Sequence, residues 1–365
     1  MKPFFQGKRV LVTGGCGTVG SQLVHQLIKG DYDPMEVVVL ETHEQSLFFM
    51  HHKYAGHRNL TCVLGDIRDE SKLTKIMHGI DIVFHTAAFK HVFLCETSPF
   101  EAVQTNITGT HNLISAAMEN KVRTVIFTSS DKAVNPTNVM GASKLMAERL
   151  ISSANIQNKA SDLTFSSVRF GNILGSSGSV VPIFQSQISK GGPVTLTHPD
   201  MTRFIMNIRH AVQLILDATV LARGGEIFIT KMPVARISDL ARVMIDKLSP
   251  RQGIDPGDIR IDIIGSMPGE KMYEELMTTE EATHSIELRR YFVVLPALRG
   301  FYRNRTFDYP DVVSPPIQKT YISSTEHPLS YDELSAFLDE SGFLTPPEPS
   351  TVDEIQHRQW PGEGK

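Results

Sequence analysis

Tryptophan occurs once and cysteine three times in this 365-residue chain, and neither charge sign dominates: 36 lysines and arginines stand against 40 aspartates and glutamates. A net charge of -4 creates no electrostatic demand for nucleic acid, and no aromatic residues interleave with basic ones in the way that stacks bases. Cys16, Cys62 and Cys95 are odd in number, widely spaced and set among apolar or small residues, which predicts reduced, buried thiols. Despite 14 histidines, no His-x-x-x-His or Cys-x-x-Cys spacing occurs, so no metal site is expected. No apolar run approaches transmembrane length, and MKPFFQGKRV runs into a strand without a signal-peptide core. These absences predict a cytoplasmic protein without membrane insertion.

What is present is ordinary for a soluble protein: 41% hydrophobic and 21% charged residues, in a length that suits one sizeable domain with an appended lobe or two small domains. Residues 8–12 (KRVLV) form an apolar strand that enters Thr13-Gly14-Gly15-Cys16-Gly17-Thr18-Val19-Gly20, and helical periodicity follows. Glycines at 14, 17 and 20 between a strand and a helix give a dinucleotide loop. One serves the tight turn, one the approach of a pyrophosphate, and one close helix–strand packing. The next strand, residues 36–40, ends at Glu41, where a carboxylate can accept both ribose hydroxyls and would repel a 2′-phosphate. Thr42 supplies no cation, so NAD is expected, with NADP as the alternative.

Strands at 59–64 and 81–85 follow, the second leading into Thr86-Ala87-Ala88-Phe89-Lys90-His91-Val92. Small Ala87 and Ala88 allow the cofactor near the backbone; Lys90 and His91 are placed to meet an anionic substrate. His85, inside an apolar strand, reads as a satisfied core histidine. Residues 101–120 are helical and carry Asn106 in their first half. Residues 125–149 (VIFTSSDKAVNPTNVMGASKLMAER) then hold a strand, a polar turn and a helix, with Asp131 and Lys132 at the carboxyl end of the strand. Lys144 follows Met140 by four residues, so both share a helix face. Strand–helix units in a row predict an α/β fold, a Rossmann-like doubly wound parallel sheet.

Beyond the sixth strand (165–170) and the turn 171–179, glycine and proline punctuate shorter elements, so a smaller C-terminal substrate-binding lobe is expected. The division is 1–172 for the dinucleotide domain, with 208–232 returning to it and 225–230 as its last strand. Residues 173–207 and 233–309 make the lobe, 310–344 an arm reaching a neighbour, and 345–365 a flexible tail. Residues 268–275 read as a turn entering an acidic helix.

The glycine loop, AAFKHV at 87–92, SDKAV at 130–134, PTNVMGASK at 136–144, RFGN at 169–172, MTRF at 201–204 and PGEK at 268–271 together resemble the extended short-chain dehydrogenase/reductases. Within that superfamily the chain is similar to the UDP-N-acetylglucosamine 4,6-dehydratases of bacterial glycan biosynthesis. Met140 stands where classical members carry the catalytic tyrosine, and some family members share that methionine. The resemblance implies a tightly bound, recycled NAD, with Asp66 and Ile67 on the adenine side and Lys144 on the cofactor ribose. It implies a UDP-sugar held by Lys90, His91, Asn172, Arg203 and Glu270, and a homo-oligomer.

The implied chemistry needs a base at C5 and an acid at the C6 oxygen of the sugar, for which Lys132 and Asp131 are the candidates. A basic Lys132 must lose its proton, with burial and Lys144 lowering its pKa, and an acidic Asp131 must carry one. Asp131 acting through Ser130 or a water is the candidate for deprotonating the 4-hydroxyl. The Glu41 strand end and the Asn-Val-Met-Gly run lean toward retention at C5. A nucleotide-sugar 4-epimerase and a catalytically inactive dinucleotide-binding regulator are the competing readings.

Overall fold

The computed structural model describes residues 1–157, 163–176, 178–266, 269–302, 305–314, 317 and 320–344. The expected tail 345–365, Ser177 of the glycine-rich turn and Pro268 of the PGEK motif lie outside them. A short helix, Lys2–Phe5, precedes the first strand and buries Phe5.

In chain order the strands are β1 (Arg9–Thr13), β2 (Glu36–Glu41), β3 (Leu60–Leu64), β4 (Ile82–His85), β5 (Thr124–Ser130), β6 (Thr164–Phe170), β7 (Asn172–Ile173), β8 (Val194–Leu196) and β9 (Thr202–Met206). They continue as β10 (Ile227–Thr230), β11 (Val234–Arg236), β12 (Ile261–Ile263), β13 (Glu275–Met277), β14 (Ser285–Leu288), β15 (Tyr291–Val294), β16 (Val312–Ser314) and β17 (Tyr321–Ile322). Ten of them form one sheet in the order β16-β14-β15-β10-β6-β5-β4-β1-β2-β3. From β10 to β3 the pairs are parallel, as the strand–helix alternation demands. Val37 to Leu40 of β2 and Thr124 to Ser129 of β5 are buried in unbroken runs, which is what helices on both faces require.

Two cores sandwich the sheet. One face packs Leu23, Val24 and Leu27 of helix Thr18–Lys29 with Val212 and Leu216 of helix Ile208–Leu221. The other packs Leu113 and Ala117 of helix Gly109–Glu119 with Ala147 and Ile151 of helix Val139–Gln157. Doubly wound topology is thereby realised, and the switch of direction beside β1 opens the crevice at the carboxyl ends of the strands.

The sheet departs from expectation at its far edge. β10 is not its last strand: β15, β14 and β16 continue it antiparallel, so residues 285–294 belong to the sheet and not to the lobe. β14 turns into β15 through Arg289 and Arg290, while β10 and β16 join them from distant parts of the chain; antiparallel pairing needs no crossover helix, so no strand–helix unit announces these strands. The segment after Tyr273 enters β13, which pairs with β17; the acidic helix starts only at Thr279, behind a capping box of Thr278 and Glu281. Within the expected arm, helix Tyr331–Glu340 buries Leu334 and Leu338 against Leu240, Val243 and Met244 of helix Ile237–Leu248. Of the cysteines only Cys95 is buried; Cys16 and Cys62 are partly exposed, and all are free thiols. Exposed Phe93, Leu94, Phe100 and Met146 lie on the short helices after β4 and on helix Val139–Gln157.

Candidate active site

The glycine loop is built as the spacing predicts. Gly14 has φ +67°, and a Cβ there would come 2.7 Å from the Ala87 Cα. One on Gly20 would lie 2.3 Å from the Gly14 carbonyl oxygen, so helix Thr18–Lys29 can sit this close to β1 only without a side chain. Gly17 is the N-cap of that helix and supplies no side-chain cap, which leaves the first N–H groups to an anion. Glu41, at the end of β2, accepts from the backbone N–H of Cys16, Thr42 and His43. A carboxylate fixed one loop away from the helix N-terminus suits a ribose diol. These residues fit a dinucleotide, with its pyrophosphate at Gly14–Gly20 and a ribose at Glu41.

Asp66 is engaged by Arg68, through the backbone N–H at 2.9 Å and the guanidinium at 2.8 Å. Burial raises its pKa, but the bonds from Arg68 outweigh burial and hold the carboxyl below its ordinary range. Ile67 is buried and packs under Gly109. Ala87 lies against Gly14, and Ala88 is partly exposed beside it. His85 is a core histidine as read: it bonds Thr13 and Thr110, and burial, helped by Lys144, presses its pKa to about 3.

Asn106 sits in a π-helical turn, Val103–Thr108, that aims its amide at the loop after β4. It accepts from the Phe89 N–H, donates to the Phe89 carbonyl and reaches Ser143 at 2.8 Å. The loop carrying Lys90 and His91 is thereby fixed to the helix that carries Met140 and Lys144. Both Lys90 and His91 are exposed, and the His91 ring lies 3.1 Å from the position of a Cβ on Gly178.

At the end of β5 the backbone turns sharply through Asp131–Ala133. Helix Val139–Gln157 comes so close that a Cβ on Gly141 would stand 2.2 Å from the Lys132 carbonyl oxygen. Met140 is buried against Cys95 and Ala102, and its thioether cannot move a proton. Lys144 donates to the Thr128 carbonyl at 2.9 Å and lies 4.7 Å from the centre of the Phe127 ring. Burial lowers its pKa to about 8, against the pull of Glu148 and Cys95.

Asp131 is buried and accepts from the Ser130 hydroxyl at 2.6 Å and from Lys132 Nζ at 3.0 Å. Burial opposes its charge, but Lys132, the bond from Ser130 and Arg203 prevail and keep it below the usual carboxylate range. Burial likewise works against the Lys132 ammonium, yet Asp131 and Glu274 raise its pKa above the ordinary lysine value. Both directions oppose the sequence reading, which needed a proton on Asp131 and none on Lys132. The physical reason is contact: Lys132 touches two carboxylates, and the nearby cation is Arg203, not Lys144.

Asn172, Arg203 and Glu270 gather beside this turn around a residue that sequence reasoning missed. Glu274 is buried, accepts from Asn172 Nδ2 at 2.7 Å and from the Phe204 N–H at 3.0 Å, and lies 3.9 Å from Lys132 Nζ and 3.4 Å from Arg203 Nε. Arg203 also reaches Glu270 at 3.5 Å. Burial, reinforced by Asp131, pushes Glu274 up to about 7 against the opposing cations. Its signal in the sequence is slight, an acid among acids in KMYEEL. The loop around it is moored to the turn after β5: the Lys271 ammonium donates to the Val134 carbonyl, and Thr137 and Asn138 donate to the Gly269 carbonyl.

A doubly wound sheet whose crevice holds a dinucleotide loop and an Asp-Lys turn defines the short-chain dehydrogenase/reductase class. The chain belongs to its extended branch, in the family described as polysaccharide biosynthesis protein, whose model matches residues 10–296. It is 53% identical over 80% of its length to an uncharacterized membrane protein of Methanocaldococcus jannaschii, 87% of which is covered. It is 44% identical over 75% of its length to the capsular polysaccharide biosynthesis protein CapD of Staphylococcus aureus, of which it spans about half (46%). Pen from Bacillus thuringiensis superimposes with a TM-score of 0.84 at 41% identity, covering 92% of this chain and 98% of that one. Further relatives at 37% and 34% identity are a UDP-glucose 4-epimerase of Rickettsia massiliae and a UDP-N-acetylglucosamine 4,6-dehydratase (inverting) of Campylobacter jejuni. Among the described residues no helix is long and apolar enough to cross a membrane, and no group of histidines, cysteines and carboxylates could hold a metal ion.

Proposed function

We propose that the chain is an NAD-dependent UDP-N-acetylglucosamine 4,6-dehydratase. The observation that carries this reading is the Asp131–Lys132 pair at the end of β5, facing a lobe that presents Arg203 and Asn172, with Met140 where a tyrosine would act. When bound, the dinucleotide would take hydride from C4 of the sugar and return it to C6. Asp131, held ionised, accepts the proton of the 4-hydroxyl directly or through Ser130, whose hydroxyl it already binds. A ketone at C4 acidifies the C5 proton, which Lys132 removes as an amine and, as ammonium, returns to C5 when hydride reaches C6. The carboxyl that Asp131 has then become is the donor to the departing C6 oxygen, so its protonation follows from the first step and need not precede it. Lys144 holds the cofactor ribose, and Arg203 with Lys90 and His91 meets the diphosphate. A 4-epimerase shares the first step but needs no acid at C6.

A proton NMR time course with UDP-N-acetylglucosamine in deuterated water tests the reading. A C6 methyl signal beside a 4-keto product is expected, and the C5 configuration reports retention or inversion. A change of configuration at C4 without a methyl signal would make the protein an epimerase. No conversion by folded, cofactor-loaded protein would favour a binding role.

A further inference from the structure

Glu274 belongs to the lobe, yet its carboxylate stands inside the catalytic cluster. Its oxygens take two neutral donors, Asn172 Nδ2 and the Phe204 N–H, and its main-chain N–H donates to the Ser323 hydroxyl. Two cations approach the same oxygen, Lys132 at 3.9 Å and Arg203 at 3.4 Å. The other charges facing it are Asp131, bonded to Lys132, and Glu270, which shares Arg203. Asn172, Phe204 and Ser323 carry none. Glu274 is therefore a buried carboxylate whose charge is met by Lys132 and by one guanidinium, that of Arg203, which Glu270 shares.

We propose that Glu274 couples occupancy of the diphosphate subsite to the hold of Lys132 on its proton, with Arg203 as the part that changes partners. The inference rests on the nucleotide-sugar reading and deepens it. Arg203 donates through one guanidinium nitrogen to the Thr202 and Met272 carbonyls, and meets Glu270 and Glu274 across 3.5 and 3.4 Å, separations longer than a good charge-assisted hydrogen bond. A diphosphate offers the guanidinium closer, doubly charged acceptors and withdraws positive charge from Glu274. A buried carboxylate that loses a cation binds a proton more tightly. Glu274 then takes a proton from solvent, forming an O–H bond while no bond in the sugar breaks. Its negative charge is cancelled, Lys132 keeps only Asp131 as partner, and the fraction of Lys132 present as amine grows. The base is thus readied when a diphosphate is in place, and an unladen site keeps its lysine as ammonium. Glu274 acts through Lys132 and is a positioning residue.

The test is proton uptake on mixing cofactor-loaded protein with UDP-N-acetylglucosamine in weak buffer containing an indicator dye. The diphosphodiester has no group titrating near neutrality, and dehydration consumes and releases no net proton. An uptake burst of roughly half a proton per site is expected near pH 7, where Glu274 is half ionised, shrinking toward zero by pH 5. Glu274→Gln, with saturable ligand binding as proof of folding, should show no burst, and Glu274→Asp should restore part of it. Arg203→Met provides a second route: it removes the mobile cation, so binding at raised ligand concentration should give no burst. An equal burst in Glu274→Gln, or none in the parent protein at saturation, would overturn the coupling while leaving the dehydratase reading intact. Absence of any saturable binding would sink both.

Discussion

Two buried charge clusters stand a few residues apart in this chain, and they are built to opposite ends. In one, Arg169 of β6 is 1% exposed and makes two bonds to Glu148, two to Glu281 and one to the Leu276 carbonyl. Every donor direction of the guanidinium finds an acceptor, and the three side chains tie helix Val139–Gln157, the sheet and the segment after β13 together. In the other, Lys132 and Arg203 serve Asp131, Glu274 and Glu270 at separations from 3.0 to 3.9 Å. Burial raises the Glu281 pKa, but Arg169 outweighs it and the carboxyl falls below its ordinary value, while Glu274 rises to about 7. A saturated cluster fixes charge; an under-filled one lets protons move, and carboxylates whose pKa values are pushed apart are the mark of acid–base chemistry. The two clusters thus use the same residue types and differ in how completely each charge is met.

Breaking the catalytic cluster should give the largest effect. Asp131→Asn keeps the shape but removes the acceptor of the 4-hydroxyl proton, so kcat should fall by about 10³-fold or more, equivalent to roughly 4 kcal/mol of barrier. Cofactor should remain bound, and the melting temperature should change little. Methyl formation followed by NMR, with cofactor content read by absorbance, checks this; turnover within a factor of two of the parent protein would remove Asp131 from the mechanism. Next in size is the interlock. Arg169→Met leaves Glu148 and Glu281 buried without their cation, and about 3–5 kcal/mol of stability should go. Urea unfolding measures the loss, which should fall on stability before it falls on the pH profile of whatever turnover survives. A small loss of stability would show that water or a rearranged side chain can replace the arginine.

The contrast between the clusters also explains what was legible in the sequence. Glycine spacing, strand ends and the Asp-Lys turn are local: each side chain's neighbours lie within a few residues, so the dinucleotide loop and the order of β1 to β6 could be read directly. Motif resemblance carried Asn172, Arg203 and Glu270 to the site, and the structure sets them around Lys132 through Glu274. Glu274 itself was not legible, because its pKa comes from burial and from partners far away in the chain, namely Asp131, Arg203 and Asn172. For the same reason the resting charges of Asp131 and Lys132 differ from those the implied chemistry asks for: the sequence shows that they are adjacent, but not that a second carboxylate faces the lysine. The antiparallel edge β15-β14-β16 carries no such local signal, because short strands that pair antiparallel lack the long amphipathic crossover that announces each parallel strand.

The smallest effect sharpens the comparison most, because its sign differs between the clusters. Glu274 binds its proton more tightly in the folded chain, with a pKa of about 7, than in the unfolded chain, where 4.5 applies. Below 4.5 both states carry the proton; between 4.5 and 7 the folded state binds more protons, so the stability linked to this group is lost as pH rises. Removing the group should therefore help at high pH: Glu274→Gln is expected to stabilise the ligand-free protein by about 1–2 kcal/mol at pH 8, with the gain fading by pH 5. Glu281 has the opposite linkage. Its folded pKa is depressed, so its contribution is present above 4.5 and lost as pH falls toward the folded value. Glu281→Gln should accordingly destabilise at pH 8 and matter less in acid. Thermal unfolding of the two variants and the parent across pH 5 to 8 reads both signs in one series. Destabilisation by Glu274→Gln at pH 8 would mean that its carboxylate is as well satisfied as that of Glu281, and the distinction between a fixed and a proton-moving cluster would fail at that residue.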